Sequence, residues 1–179
     1  MNKTRILIAK KTLKLLEKNS WEKISIDKIL GKENKIKFNS KKELLSNINR
    51  YIDYQLKKNL SSMEVSSPKD MVFEVIMARF DILNSHRDSI KNLMNFFTSN
   101  PQEFIKSLPS FVESIILSAS LANIKVNGIK GAANIKILFL IYLITIYTWR
   151  MDESSALEKT MTNLDKYLIQ IEKITPIFK

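Results

Sequence analysis

An all-α fold is what this sequence predicts, and three observations carry the prediction. Three glycines and four prolines in 179 residues leave few tight turns; apolar residues recur three and four apart through most of the chain; and residues 137–149 hold no charge at all. Few turns and a 3.6-residue period favour long helices over many short strands. The uncharged run reads ILFLIYLITIYTW, interrupted only by Thr145, Thr148 and the polar ends of its Tyr and Trp rings. A helix built from it is apolar on every side and needs cover all round. Lys130 and Lys136 before it and Arg150 after it keep it short of the roughly 18 apolar residues of a membrane span. It is therefore expected as the buried central helix of a soluble body, with a membrane-inserted segment as the alternative. Its composition also suits the wall of an apolar cavity or a subunit interface.

The elements follow in order. Ile6, Ala9, Leu13 and Leu16 share one face of a first helix over residues 4–18, with Lys3, Lys10, Lys11, Lys14 and Lys18 mostly off it. Asn19 and Ser20 end it, and Trp21 and Ile24 can pack back. Ser25 stands where an N-cap belongs, with Asp27 in the first turn of a short helix that Gly31 stops. After a polar stretch, Ser40 and Glu43 form a capping box ahead of Leu44, Leu45, Ile48, Ile52 and Leu56, predicting a helix from about 41 to 60. Residues 61–67 read as a linker.

Ser67-Pro68-Lys-Asp70 opens a helix to about 83, and another runs from about 86 to 98. Pro101 starts a short helix and Pro109 a second one carrying Phe111, Val112, Ile115, Ile116, Ala119 and Leu121. Asn127-Gly128 and Gly131 form a flexible break, after which the central helix is expected over 132–150. Residues 152–155 cap a last helix that shows Leu157, Met161, Leu164, Leu168 and Ile171 toward the core and that Pro176 ends. The tally is about nine helices and no strand.

Charge divides the chain into a basic head, 1–60, and a near-neutral body, 61–179. The head holds 16 Lys and Arg against 6 Asp and Glu, the body 13 against 12. Such a head attracts polyanions, either nucleic-acid phosphates or anionic lipid head groups, and charge alone does not choose between them; lysines kept for solubility are the plain alternative. Lys35, Lys37, Asn39, Lys41 and Lys42 cluster as candidate phosphate or anionic-lipid contacts. With no cysteine and a single histidine, His86, neither a disulfide, a thiolate site nor a histidine-rich metal site is available from one chain. No nucleophile–base constellation stands out, so no cofactor, metal site or catalytic residue is assigned. No secretory pattern follows Met1, so a cytoplasmic location is expected, peripheral to the inner membrane if the head meets lipid.

Two stretches resemble known proteins. Ser25-Ile-Asp-Lys-Ile29 and Phe38-Asn-Ser-Lys-Lys-Glu-Leu-Leu45 resemble the head of TetR-type proteins, in which an aromatic residue and a Ser-Lys-Glu-x-Leu-Leu signature open the fourth helix. In those heads about a dozen residues or more precede the aromatic and hold the groove-entering helix; here only residues 31–37 lie between Leu30 and Phe38, and a full recognition helix does not fit. Residues 73–87, and Asp152-Glu-Ser154 with Thr160 and Leu164-Asp165, are similar to a TetR-fold branch that includes the lipid-binding accessory protein of ubiquinone biosynthesis. The resemblance implies a TetR-like fold, with a head of three to four helices and a helical ligand-binding and dimerisation body. It also implies lost DNA binding, an apolar pocket for isoprenoid or acyl tails, and a partner enzyme served by ligand presentation. Those relatives carry a further amphipathic C-terminal helix, whereas only residues 175–179 follow the last helix here.

The candidate pocket residues are Phe80, Leu83, Met94, Phe97, Phe111, Ile115, Leu138, Tyr142, Ile146 and Trp149, any one of which is as readily ordinary core. Asp152, Ser154, Thr160 and Asp165 are read as caps and helix–helix hydrogen bonds. The functional expectation is a non-enzymatic binder of an apolar lipid, homodimeric through the last two helices. The alternatives are a TetR-type DNA-binding regulator released by a hydrophobic ligand, and a former regulator acting by protein contact alone.

Overall fold

The computed structural model describes residues 1–30, 38–61, 64–175 and 177–178. Among them are eight α helices and no strand: α1 Lys3–Leu16, α2 Ile26–Leu30, α3 Lys41–Asn59, α4 Pro68–Asn84, α5 Arg87–Ser99, α6 Pro101–Leu121, α7 Gly128–Met151 and α8 Glu158–Ile174. A 3-10 turn, Trp21–Lys23, links α1 to α2. The chain forms two compact units, Met1–Gln55 with Ile82–Phe111, and Leu56–Asp81 with Val112–Lys179. These bounds differ from the 1–60 and 61–179 division drawn from charge because α5 returns to pack on α1 and on the 3-10 turn.

In the first unit, polar side chains donate to carbonyls near helix ends. Ser89 Oγ on α5 donates to the Leu13 carbonyl at 2.7 Å, and Asn92 Nδ2 donates to that of Leu16 at 2.6 Å. Lys11 Nζ donates to the Ile29 carbonyl at 2.8 Å near the end of α2. Around these bonds Ile8, Leu13, Leu16, Trp21, Ile29, Leu44 and Ile48 are buried. At the start of α3, Glu43 N donates to Ser40 Oγ, while the Glu43 carboxylate reaches one residue further back and accepts from Asn39 N at 2.9 Å.

In the second unit α7 and α8 pack on each other. Ser67 Oγ caps α4, accepting from Asp70 N at 3.2 Å and donating to the Asp70 carboxylate at 2.6 Å. Phe80, fully buried, stacks between Tyr142 and Trp149 with ring centres 5.4 and 6.3 Å away.

Two expectations about the elements are corrected. Pro109 starts no helix: it lies inside the continuous α6, at an exposed position with exposed Ile105 one turn back, where a proline disturbs the helix least. That fusion makes eight helices of the expected nine. Gly128 and Gly131 do not form a flexible break, since α7 begins at Gly128. Gly131 is buried inside it, and a methyl group there would collide with the carbonyl carbon and oxygen of Val126. Glycine is needed for that close passage of backbone, with its amide bonded to the Asn127 carbonyl at 3.2 Å. The last helix ends at Ile174; Pro176, expected to end it, lies outside the described residues.

Candidate functional site

The uncharged run lies within α7, but the described residues do not cover it all round. Gly131, Leu138, Ile141, Thr145 and Trp149 are buried along one side. The opposite side presents Leu140, Ile144, Tyr147 and Met151, which are 58, 49, 65 and 70% exposed. The expectation of a wholly buried central helix is corrected accordingly: burial is one-sided, and the uncovered stripe repeats at intervals of four, three and four residues. Over eleven residue steps it is about 16 Å long. At its C-terminal end Met151 and Thr148 open into a groove of about 460 Å³ whose other walls are Glu158, Lys159, Thr162 and Asn163 of α8. Periodicity could not have found this stripe, because apolar residues fall on every side of α7 and no face is singled out. Two helices, α6 and α7, are long and apolar enough by length and composition to cross a membrane.

The ten predicted pocket residues fall into both units. Phe80, Ile115, Leu138, Tyr142, Ile146 and Trp149 belong to the second, Leu83, Met94, Phe97 and Phe111 to the first. In the second, Ile115, Leu138 and Tyr142 line a slot together with Val75, Ile76 and Ala119, but its volume is about 10 Å³, room for roughly one water. Phe80, Tyr142 and Trp149 fill the neighbouring space with stacked rings, and Ile146 is half-buried. Arg79, buried, donates from Nε to the Tyr142 hydroxyl at 3.4 Å and lies over the same ring. In the first unit Phe97 meets Phe111 edge-on with centres 5.8 Å apart, and Phe104 completes the cluster. Leu83 is buried there and Met94 half-buried.

Of the five candidate polyanion contacts, Lys35 and Lys37 lie outside the described residues, as does the stretch 31–37 judged too short for a recognition helix. The Lys41 ammonium donates to the carbonyls of Trp21 and Glu22 at 3.1 and 2.9 Å and lies over the Trp21 ring. It fastens the start of α3 to the 3-10 turn. Asn39 uses its backbone amide on Glu43, and both Asn39 and Lys42 are exposed.

The turn between α7 and α8 is organised by Asp152, whose side chain is fully buried. One carboxylate oxygen accepts from Ser154 N and Oγ at 3.1 and 2.6 Å, the other from Thr160 N and Oγ1, both at 2.8 Å. Ser154 Oγ in turn accepts from Glu158 N at 2.9 Å. Burial pushes the Asp152 carboxyl up, but the bonds from Ser154 and Thr160 outweigh it and hold the group at about 2. Asp165 is exposed on α8. Burial also lowers His86, against a raising effect of Glu17 and with a lowering one from Lys10; the ring lies 6.0 Å from that of Tyr51.

No protein-family model matches the chain, and no curated protein sequence does.

Proposed function

We propose that the protein is a non-enzymatic binder of an apolar ligand, an isoprenoid or acyl lipid, built on a TetR-like helical frame similar to that of the ubiquinone-biosynthesis accessory proteins. The supporting observation is the uncovered stripe of α7. Four large side chains, exposed over about half their surface or more, forgo on the order of 4–6 kcal/mol of burial, which an apolar guest laid along the helix recovers in part. The slot of about 10 Å³ beneath Tyr142 has no room for a tail, so the guest belongs on the outer face and in the groove beside Met151.

A second reading puts another copy of the chain on the same face, since the 4-3-4 spacing of Leu140, Ile144, Tyr147 and Met151 is that of a two-helix seam. The third, a TetR-type regulator, draws on the basic surplus of residues 1–60. Native mass spectrometry of the purified protein separates the first two. The ligand reading expects an added mass of lipid size that is lost from Leu140→Gln with Ile144→Gln, whereas a clean apo mass from several preparations refutes it. The same spectrum reports whether two chains travel together. For the regulator, retardation of DNA must depend on sequence; equal affinity for scrambled duplex removes it.

A further inference from the structure

The outer face of α1 gathers exposed positive charge within the basic head. Steps of 100° per residue bring Lys3, Leu7, Lys10 and Lys14 into an arc of about 60°, opposite buried Ile8, Thr12, Leu13 and Leu16. All four are exposed, Leu7 at 65%. No acidic residue occurs within α1; Glu17 follows at its end, beside exposed Lys18. Lys11 is set apart, its ammonium bonded to the Ile29 carbonyl. The first turn carries Lys3 and Arg5 where the helix dipole favours acids, so the positive charge there works against the stability of the helix that bears it.

We infer that this face docks on an anionic lipid bilayer, with α1 lying in the plane of the head groups. Three lysines over about 16 Å match a surface of closely spaced negative charges. Leu7 at the centre decides the class of partner: an apolar side chain amid the lysines enters the boundary between head groups and acyl chains, whereas against a nucleic-acid backbone it meets only phosphate and sugar. The docking does not depend on a guest on α7. A protein that carries no lipid there still binds vesicles by α1, and one that carries lipid need not, so the two readings fail separately.

The test is co-sedimentation of the full chain with vesicles of phosphatidylcholine alone or with three-tenths phosphatidylglycerol, at low and at physiological salt. Binding is expected only to the anionic vesicles and weakens as salt rises. Lys10→Ala with Lys14→Ala reduces it about 30-fold and Leu7→Ser about tenfold, with melting midpoints unchanged because all three side chains are exposed. The control Lys166→Ala with Lys173→Ala removes the same charge from exposed positions of α8 and leaves binding as it was. Leu7→Trp adds an indole at the centre of the face. Both native tryptophans are buried, so a blue shift on adding anionic vesicles reports insertion of α1. The inference is overturned if the α8 control weakens binding equally, if the added indole shows no shift, or if a scrambled 20-base-pair duplex binds through the same lysines while vesicles do not.

Discussion

Replacing Asp152 by Asn keeps the shape of the side chain and removes its charge. The folded protein holds this carboxyl at about 2 against an ordinary 3.8, because four hydrogen bonds from Ser154 and Thr160 favour the ionised form over the cost of burying it. That gap corresponds to on the order of 2 kcal/mol of stability. Since the folded value is depressed, the contribution is complete above about pH 4 and disappears as pH falls toward 2. Urea unfolding followed by circular dichroism at pH 7 and at pH 3 measures it. Asp152→Asn should lower the midpoint by roughly 1 M urea at pH 7, with a clearly smaller difference from the native protein at pH 3. Other carboxylates titrate in both proteins and cancel in the comparison. An equal loss at both pH values would show that Asn disturbs the geometry of the turn and that the charge contributes nothing.

Three further substitutions, one of them with a control, test the fold. Lys41→Ala should cost about 1–2 kcal/mol in thermal or urea unfolding because two carbonyls lose a charged donor, whereas Lys42→Ala, at an exposed position, should stay within about 0.5 kcal/mol. Gly131→Ala, which would gain up to about 1 kcal/mol in an ordinary helix interior, should instead destabilise by about 1–3 kcal/mol as its methyl meets the Val126 backbone. Pro109→Ala should raise the melting midpoint by several degrees by giving α6 back a hydrogen bond; a lower midpoint would show that the proline ring is held by packing.

Much of the helical layout was legible because the signals were local. Ser67, Pro68 and Asp70 announce the start of α4, Ser40 and Glu43 that of α3, and both boxes form as bonded pairs. Asp152, Ser154 and Thr160 were readable as caps, though not the division of four donors between two carboxylate oxygens. Pro109 and Gly131 misled because each is a breaker by propensity, yet Pro109 sits at an exposed position inside α6 and Gly131 is required by the close passage of the Val126 backbone. Lys41 was visible only as a charge in a basic cluster, since its carbonyl partners lie about twenty residues earlier in the chain. Composition showed how strongly α7 favours burial. It carried no information on whether this chain supplies the cover, because that depends on what the neighbouring elements present.

The half-covered state of α7 bears on how the protein behaves in a tube. A helix that finishes its burial only against something added from outside ties its heat resistance to the mixture it sits in. With a second copy as the cover, dilution should lower the melting midpoint; with a lipid as the cover, trace detergent or lipid carried through purification should raise it. Two laboratories working with the same sequence would then disagree on its thermal stability until they matched concentration and amphiphile content.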